Sequence, residues 1–146
     1  MKKAAIGLIV APVMLLAACA SDDLTLDKAL GGDSDAATVD LAEAYPAAKS
    51  LFIVCTSDDA AVADVFGRNV LEEPRDDENW MVQQRFDSVI LPEAYKRDEV
   101  DLCKGDREGI REVTNEQIDF QLEGDKWVLQ GVHGTAAQDL SSSPVQ

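Results

Sequence analysis

The segment at residues 118–131, IDFQLEGDKWVLQG, indicates the fold class more clearly than any other part of the chain. If Gly124 and Asp125 form a two-residue turn, the segment becomes a β-hairpin whose large apolar residues share one face. The facing pairs are Glu123–Lys126, Leu122–Trp127, Phe120–Leu129 and Ile118–Gly131, and the opposite face carries Asp119, Gln121, Val128 and Gln130. A shift of one residue would destroy this match. Because two strands are marginally stable by themselves, the hairpin predicts a larger antiparallel sheet.

Upstream of the hairpin, a strand followed by a helix is predicted. The compact apolar run SLFIVC at residues 50–55 is typical of a buried strand. In the TSDD that follows, Thr56 or Ser57 can cap a helix whose apolar residues recur at helical spacing. These residues are Ala61, Val62, Val65 and Phe66. Gly67 suits the end of this helix.

The sequence pattern over residues 71–103 predicts two more strands. Residues 71–79, LEEPRDDEN, are interpreted as a charged loop, and residues 80–91 alternate as one strand that Pro92 ends. DEVDLC at residues 98–103 predicts a short strand ending at Cys103. The fold class expected for residues 46–133 is therefore α+β. We expect a small, strand-rich single domain with an antiparallel sheet that includes the C-terminal hairpin, at least one helix and one disulfide.

The first residues have the pattern of an export signal. Lys2 and Lys3 precede an uncharged apolar stretch at residues 4–18, which is shorter than the roughly 20 residues that span a bilayer. The tetrad Leu16-Ala17-Ala18-Cys19 resembles the lipobox of bacterial lipoproteins. The resemblance implies that residues 1–18 are a cleaved signal peptide and that Cys19 carries a thioether-linked diacylglycerol. It also implies further acylation of the new amino group in many hosts, with chains such as palmitate.

The alternatives for Cys19 are a chance cysteine in a signal peptide or a buried thiol in a core helix, although a core helix would show a polar face. The lipoprotein interpretation places the protein on the extracytoplasmic face of the cell membrane, without a spanning helix. Ala20 stands where Asp would resemble an inner-membrane retention signal, so export to the outer membrane is open in a diderm host. The acidic composition, rich in Ala and Asp, is similar to that of actinobacterial surface lipoproteins.

Both ends of the mature chain are predicted to be flexible. Residues 19–45 are rich in Asp, Ala, Gly and Ser, which favours an extended, lipid-anchored acidic linker. The alternative over residues 38–45 is a short helix capped by Asp40 or Thr38. Residues 134–146 are expected to form a flexible C-terminal tail.

With Cys19 assigned to lipid, Cys55 and Cys103 form an even pair at the ends of predicted strands in an exported domain. One disulfide between them would stabilise the domain by about 4 kcal/mol through loop-closure entropy. The alternative is two buried free thiols. A redox-active pair would favour closer spacing, such as C-x-x-C.

No catalytic or metal-binding residue is predicted. His133 is the single histidine, and no nucleophile elbow accompanies it, so we interpret it as a surface or strand-end residue. Acidic clusters at residues 33–35, 76–79 and 98–101 offer oxygen atoms to calcium, but none has EF-hand spacing. Solvated loops explain them more simply. Two carboxylates that meet in the fold remain the alternative, because their separation in space is not visible in the sequence.

The charge balance limits the partners. The 146-residue chain has 13 Lys and Arg against 28 Asp and Glu, a formal net charge of -15. Such a chain lacks the basic patch that nucleic acid or anionic lipid requires, so we expect no nucleic acid. A cationic partner or simple solubility would explain the acidity. The function expected is that of a membrane-anchored lipoprotein with a non-enzymatic binding or accessory domain that supports an envelope or membrane-protein complex. Apart from the lipid on Cys19, no cofactor is expected. The alternatives are an envelope-associated hydrolase using a carboxylate pair and a purely structural spacer.

Overall fold

The computed structural model describes residues 25–104 and 109–134, and these form a strand-rich α+β domain with 44% strand and 16% helix, as predicted. The helices are α1 (Leu26–Leu30), α2 (Leu41–Ala44) and α3 (Asp59–Phe66). The strands are β1 (Ala36–Asp40), β2 (Ala48–Val54), β3 (Glu78–Arg85), β4 (Ile90–Lys96), β5 (Val100–Asp101), β6 (Ile110–Glu112), β7 (Gln117–Glu123) and β8 (Lys126–His133).

The strands form two sheets. The front sheet has the order β1-β7-β8-β5, and the back sheet has the order β4-β3-β2-β6. Neighbouring strands are antiparallel except for the short parallel pair of β5 and β8. The antiparallel sheet expected from the C-terminal hairpin is therefore one layer of a two-sheet structure.

The main hydrophobic core lies between the sheets. The front sheet contributes Val39, Ile118, Phe120 and Leu129, and the back sheet contributes Leu51, Ile53, Met81 and Tyr95. Leu26 and Leu30 of α1 and Leu41 of α2 join the same cluster. Burial of this apolar surface against a facing sheet is the dominant force that holds the two layers together.

A smaller core covers the other face of the back sheet. Phe52 and Val54 of β2 point to this side and pack with Val62 of α3, and Phe52 meets Phe66 edge to face, with ring centroids 5.1 Å apart. The back sheet is thus buried on both faces, which explains why residues 51–54 are continuously apolar instead of alternating. The predicted buried strand and the helix after it are confirmed.

The N-terminal cap of α3 differs in detail from the prediction. The side chain of Asp58 accepts hydrogen bonds from the backbone N–H groups of Ala60 (2.9 Å) and Ala61 (3.4 Å), whereas Thr56 Oγ1 accepts one from Asp58 N. At the other end, Gly67 has the left-handed conformation (φ 75°), as its position suggested.

The predicted linker at residues 19–45 is wrong for the part of it that the structure describes, residues 25–45. All of β1 pairs with β7, and Leu26, Val39 and Leu41 are buried. The prediction failed because it relied on the acidic composition of the segment. Its few apolar residues are spaced so that a short helix or strand can bury each of them. The helix considered near residues 38–45 exists as the single turn α2, and Asp40 caps it through hydrogen bonds from Ala42 N and Glu43 N. The domain thus begins well before residue 46.

The single strand predicted over residues 80–91 is a hairpin instead. β3 and β4 flank a turn in which Arg85 N donates to Val89 O (2.9 Å) and Ser88 has a positive φ of 65°. Pro92 does not end the strand but lies within β4. β4 is at the edge of the back sheet, where a residue without an N–H is tolerated. The short strand expected to end at Cys103 is present as β5 but ends at Asp101.

The C-terminal hairpin has the predicted turn and the predicted register from Glu123–Lys126 to Phe120–Leu129. Beyond that pair Gln130 forms a bulge, so Ile118 faces Val132 and not Gly131. Val128, assigned to the polar face, is 2% exposed. The predicted signal peptide, Cys19 and residues 135–146 of the predicted tail lie outside the described residues.

Candidate functional site

A disulfide joins the two sheets. Cys55 follows β2 of the back sheet, Cys103 follows β5 of the front sheet, and the two are bonded with their Cα atoms 5.7 Å apart. Both cysteines are buried within the main core, at 7% and 5% exposure. The predicted pairing is confirmed and the alternative of two free thiols is wrong. Because the bond is buried, its role in the fold is structural.

Asn79 provides a second, polar connection at the same place. Its fully buried side chain donates from Nδ2 to Tyr95 O (2.9 Å) and Val100 O (3.0 Å) and accepts at Oδ1 from Leu102 N (2.6 Å). Asn79 thereby links β3 to β4 and to the strand that leads to Cys103. The sequence placed Asn79 in a charged loop as a possible oxygen ligand, and nothing in its neighbours signalled this role.

The acidic residues beside Asn79 border a polar depression that we call the polar cup. It is lined by Cys55, Thr56, Ser57, Arg75, Asp76, Glu78 and Arg97. Arg97 donates from Nη2 to Cys55 O (3.0 Å) and from Nε to Glu78 O (3.1 Å), and Ser57 Oγ donates to Asp76 Oδ1 (2.7 Å). At about 230 Å³ the cup is smaller than the roughly 300 Å³ at which small-molecule sites begin. The hydrogen bonds of Arg97 and Ser57 connect the segments around the cup, so they stabilise the loops beside the disulfide.

Further residues of the acidic clusters also bond within the protein. Arg75 forms a two-pronged pair with Asp77 (3.0 and 3.2 Å), and its hydrogen bonds lower the pKa of that carboxyl group. Asp101 accepts from Cys103 N (3.0 Å) and lies 3.7 Å from Lys126 Nζ. Within residues 25–104 and 109–134, no three His, Cys, Asp or Glu side chains are grouped so as to hold a metal ion.

His133 lies at the exposed outer face of the front sheet, as expected of a strand-end residue. Its Nε2 contacts Asp119 Oδ2, while Asp119 Oδ1 accepts a hydrogen bond from Thr38 Oγ1 (2.6 Å). The hydrogen bond from Thr38, and then that from His133, lower the pKa of Asp119. In a hydrolytic triad the hydroxyl group donates to the histidine. Here the carboxylate separates the two, so His133 does not activate Thr38.

An apolar groove opens beside the β4 edge of the back sheet, and we call it the edge groove. It has a volume of about 210 Å³ and is lined by Thr25, Ala44, Tyr45, Pro46, Ala47, Met81, Gln83, Leu91, Pro92 and Glu93. Tyr45 Oη donates to Glu93 Oε2 (3.0 Å). Burial, and then the charge of Glu93, raise the pKa of Tyr45, so this phenol remains a hydrogen-bond donor.

Next to the edge groove is the hairpin tip, residues 86–89 between β3 and β4. Phe86 is 77% exposed and Val89 is 42% exposed, and Leu91 on β4 is 44% exposed. These three are the large hydrophobic residues that the described part of the chain leaves exposed. Arg85 and Asp87 form an ion pair at the tip, with Nη2 and Oδ2 3.6 Å apart. The tip is therefore apolar with a locally balanced charge.

Comparison with known protein families, with curated proteins and with solved structures finds no match to this chain. Among the described residues, no helix is long and apolar enough to cross a membrane.

Proposed function

We propose that this protein is a bacterial lipoprotein, anchored by acyl chains on Cys19 to the extracytoplasmic face of the cell membrane, or to the outer membrane of a diderm host. The observation that carries the proposal is the tetrad Leu16-Ala17-Ala18-Cys19 after a short apolar run. The buried Cys55–Cys103 disulfide supports it, because such bonds persist in proteins that leave the reducing cytoplasm.

We further propose that the domain is a non-enzymatic accessory module that binds an envelope or membrane-protein complex. The two depressions described above are small, and the carboxylates of Asp76 in the polar cup and of Asp119 in the Thr38–Asp119–His133 group accept hydrogen bonds from neighbouring side chains. No specific observation favours the hydrolase alternative. The net charge of -15 suits a partner with a cationic surface.

Lipidation is tested by replacing Cys19 and, in a separate variant, the other two cysteines, and by labelling the cells with a fatty-acid analogue. Cys19→Ala should abolish labelling and release the protein from membranes. The matched control is the double variant Cys55→Ala/Cys103→Ala, which removes both other cysteine thiols but keeps the tetrad and should stay labelled. Unchanged membrane retention of the Cys19→Ala chain would contradict the anchor.

The accessory role is tested by crosslinking in intact membranes followed by purification of the anchored protein. We expect a reproducible membrane-protein partner whose recovery declines as salt rises, because exposed charges are screened. Recovery of the protein without a partner, together with unchanged envelope properties in a deletion strain, would rule out the accessory function.

A further inference from the structure

The folded domain begins close to the proposed anchor. Thr25 is the first described residue and lies six residues after Cys19. An extended chain spans at most about 3.6 Å per residue, so the two Cα atoms are separated by no more than about 22 Å. The 27-residue linker expected from composition would have reached roughly four times as far. This step rests on the proposed function, because it takes Cys19 as the lipidated residue.

The same end of the domain carries the hairpin tip. Thr25 lines the edge groove together with Pro46 and Ala47, which lead into β2, and with Leu91 of β4. Where β2 begins, Ala48 is paired with Arg85, the residue that precedes the tip. The start of the domain, the loop before β2 and the tip therefore converge at one end of the back sheet.

The chemistry of the tip suits a lipid surface. Phe86 is exposed on a chain with a formal charge of -15, and folding leaves 77% of its surface open to solvent. Aromatic rings favour the interface between headgroups and acyl chains. The Arg85–Asp87 ion pair leaves the tip without the net positive charge that would select anionic lipids.

We propose that the hairpin tip, residues 86–89, inserts Phe86 into the interface of the membrane that holds the Cys19 lipid, so that this end of the domain lies against the bilayer. The anchor holds the chain at the membrane, and the tip sets the orientation of the domain. A zwitterionic surface should suffice, since the contact is hydrophobic.

The test uses the lipidated full chain reconstituted into phosphatidylcholine vesicles, some of which carry bromine on the acyl chains. In Phe86→Trp, the new indole should be quenched by the brominated lipid and its emission should shift to the blue. The matched control is Asp64→Trp on α3, which packs against the opposite face of the back sheet from the edge groove. Quenching of this control should not exceed that of the wild-type protein, whose Trp80 and Trp127 provide the background.

A second measurement isolates the tip from the anchor. The unlipidated mature chain, with Cys19→Ala and without residues 1–18, should bind phosphatidylcholine vesicles weakly, and adding Phe86→Ser should reduce that binding about tenfold. Phe86 is exposed, so both variants at this position should keep the wild-type urea midpoint.

The outcomes separate the two proposals. If the wild-type chain, with Cys19 intact, is purified without lipid on that residue and fails to float with vesicles, the proposed function is overturned. A lipidated chain that floats but shows equal quenching in Phe86→Trp and Asp64→Trp would overturn insertion of the tip while leaving the anchor standing. Crosslinks from position 86 to a protein, without quenching by lipid, would also overturn it and assign the tip to a protein partner.

Discussion

The two hairpins of this domain have strands of similar length but use their apolar residues differently. In the β7–β8 hairpin, Ile118 and Phe120 are buried between the sheets, and the turn consists of Gly124 and Asp125. In the β3–β4 hairpin, Trp80 and Val82 are buried near the base, whereas the turn exposes Phe86. One hairpin has a polar tip and the other has an apolar tip.

The apolar residues of the β7–β8 hairpin therefore contribute to stability, whereas those at the β3–β4 tip determine the chemistry of the surface. Phe120 in the β7–β8 hairpin is buried between the sheets, whereas Phe86 at the tip of the β3–β4 hairpin contributes little buried area to the fold. An exposed apolar tip on a strongly acidic domain has a physical use only where something apolar meets it. Four paired substitutions test this comparison.

The largest effect is expected from the same substitution made in both hairpins. Phe120→Ala should lower the free energy of unfolding by about 4 kcal/mol, because it removes buried surface and leaves a cavity. Phe86→Ala, its control, should change that free energy by less than about 0.5 kcal/mol. Urea denaturation of the two variants measures both values. Similar losses would show that the tip is part of the core.

The base of the β3–β4 hairpin is tested with Asn79→Ala. We expect a loss of about 3 kcal/mol, because Leu102 N, Tyr95 O and Val100 O would lose a buried partner. The matched control is Asn69→Ala, an exposed asparagine whose Nδ2 donates to Asp59 (2.7 Å) and whose Oδ1 accepts from Leu71 N (3.1 Å), and it should cost less than about 1 kcal/mol because water can replace these partners. Equal unfolding midpoints for the two variants would refute the structural role of Asn79.

The turns themselves differ at the residue with positive φ. Gly124 has φ 70° in the β7–β8 turn and Ser88 has φ 65° in the β3–β4 turn, a conformation that suits glycine better. Gly124→Ala should therefore destabilise the protein by about 1 kcal/mol. Ser88→Gly should stabilise it by less than about 1 kcal/mol. Thermal unfolding checks the opposite signs, and a loss of stability in Ser88→Gly would be inconsistent with strain at that turn.

The smallest effect concerns the polar outer face of the β7–β8 hairpin. Since the folded protein lowers the pKa of Asp119 below its usual 3.8, the contribution of this carboxylate is present above that pH and is lost as the pH falls through the lowered pKa. Asp119→Asn should be slightly less stable than the wild type near neutral pH, and the difference should shrink in acid. Urea midpoints across this pH range, with Asp64→Asn as control, measure the effect. A difference that grows as the pH falls would contradict this sign.

Particular residues show how far the sequence predicts this fold. The β7–β8 register was predictable because a two-residue turn and one shared apolar face leave a single pairing. The disulfide was predictable because two cysteines remained after the lipobox was assigned. The β3–β4 turn was missed because its turn residues, Asp87 and Ser88, stand without a glycine inside a stretch that alternates like one strand, although Asp87 Oδ1 accepts from Val89 N (3.2 Å).

The candidate site was less predictable than the fold. Asn79 became important only through partners at positions 95, 100 and 102, which β4 and the segment that begins with β5 bring to it. The exposure of Phe86 could not be predicted from the sequence either. A stretch with alternating apolar residues can form one buried strand, or it can form a hairpin whose turn exposes one of them. Both are properties of contacts between distant segments.

By itself the sequence determined the local features of this protein: the lipobox-like tetrad, the C-terminal hairpin and the strand-rich class, because each depends on neighbouring residues. Only the tertiary structure decided that residues 25–45 belong to the domain, that the front and back sheets enclose the core, and that Phe86 stays outside it. Burial is a property of the assembled surfaces, and isolated leucines in an acidic segment acquire it only when a sheet is present to cover them.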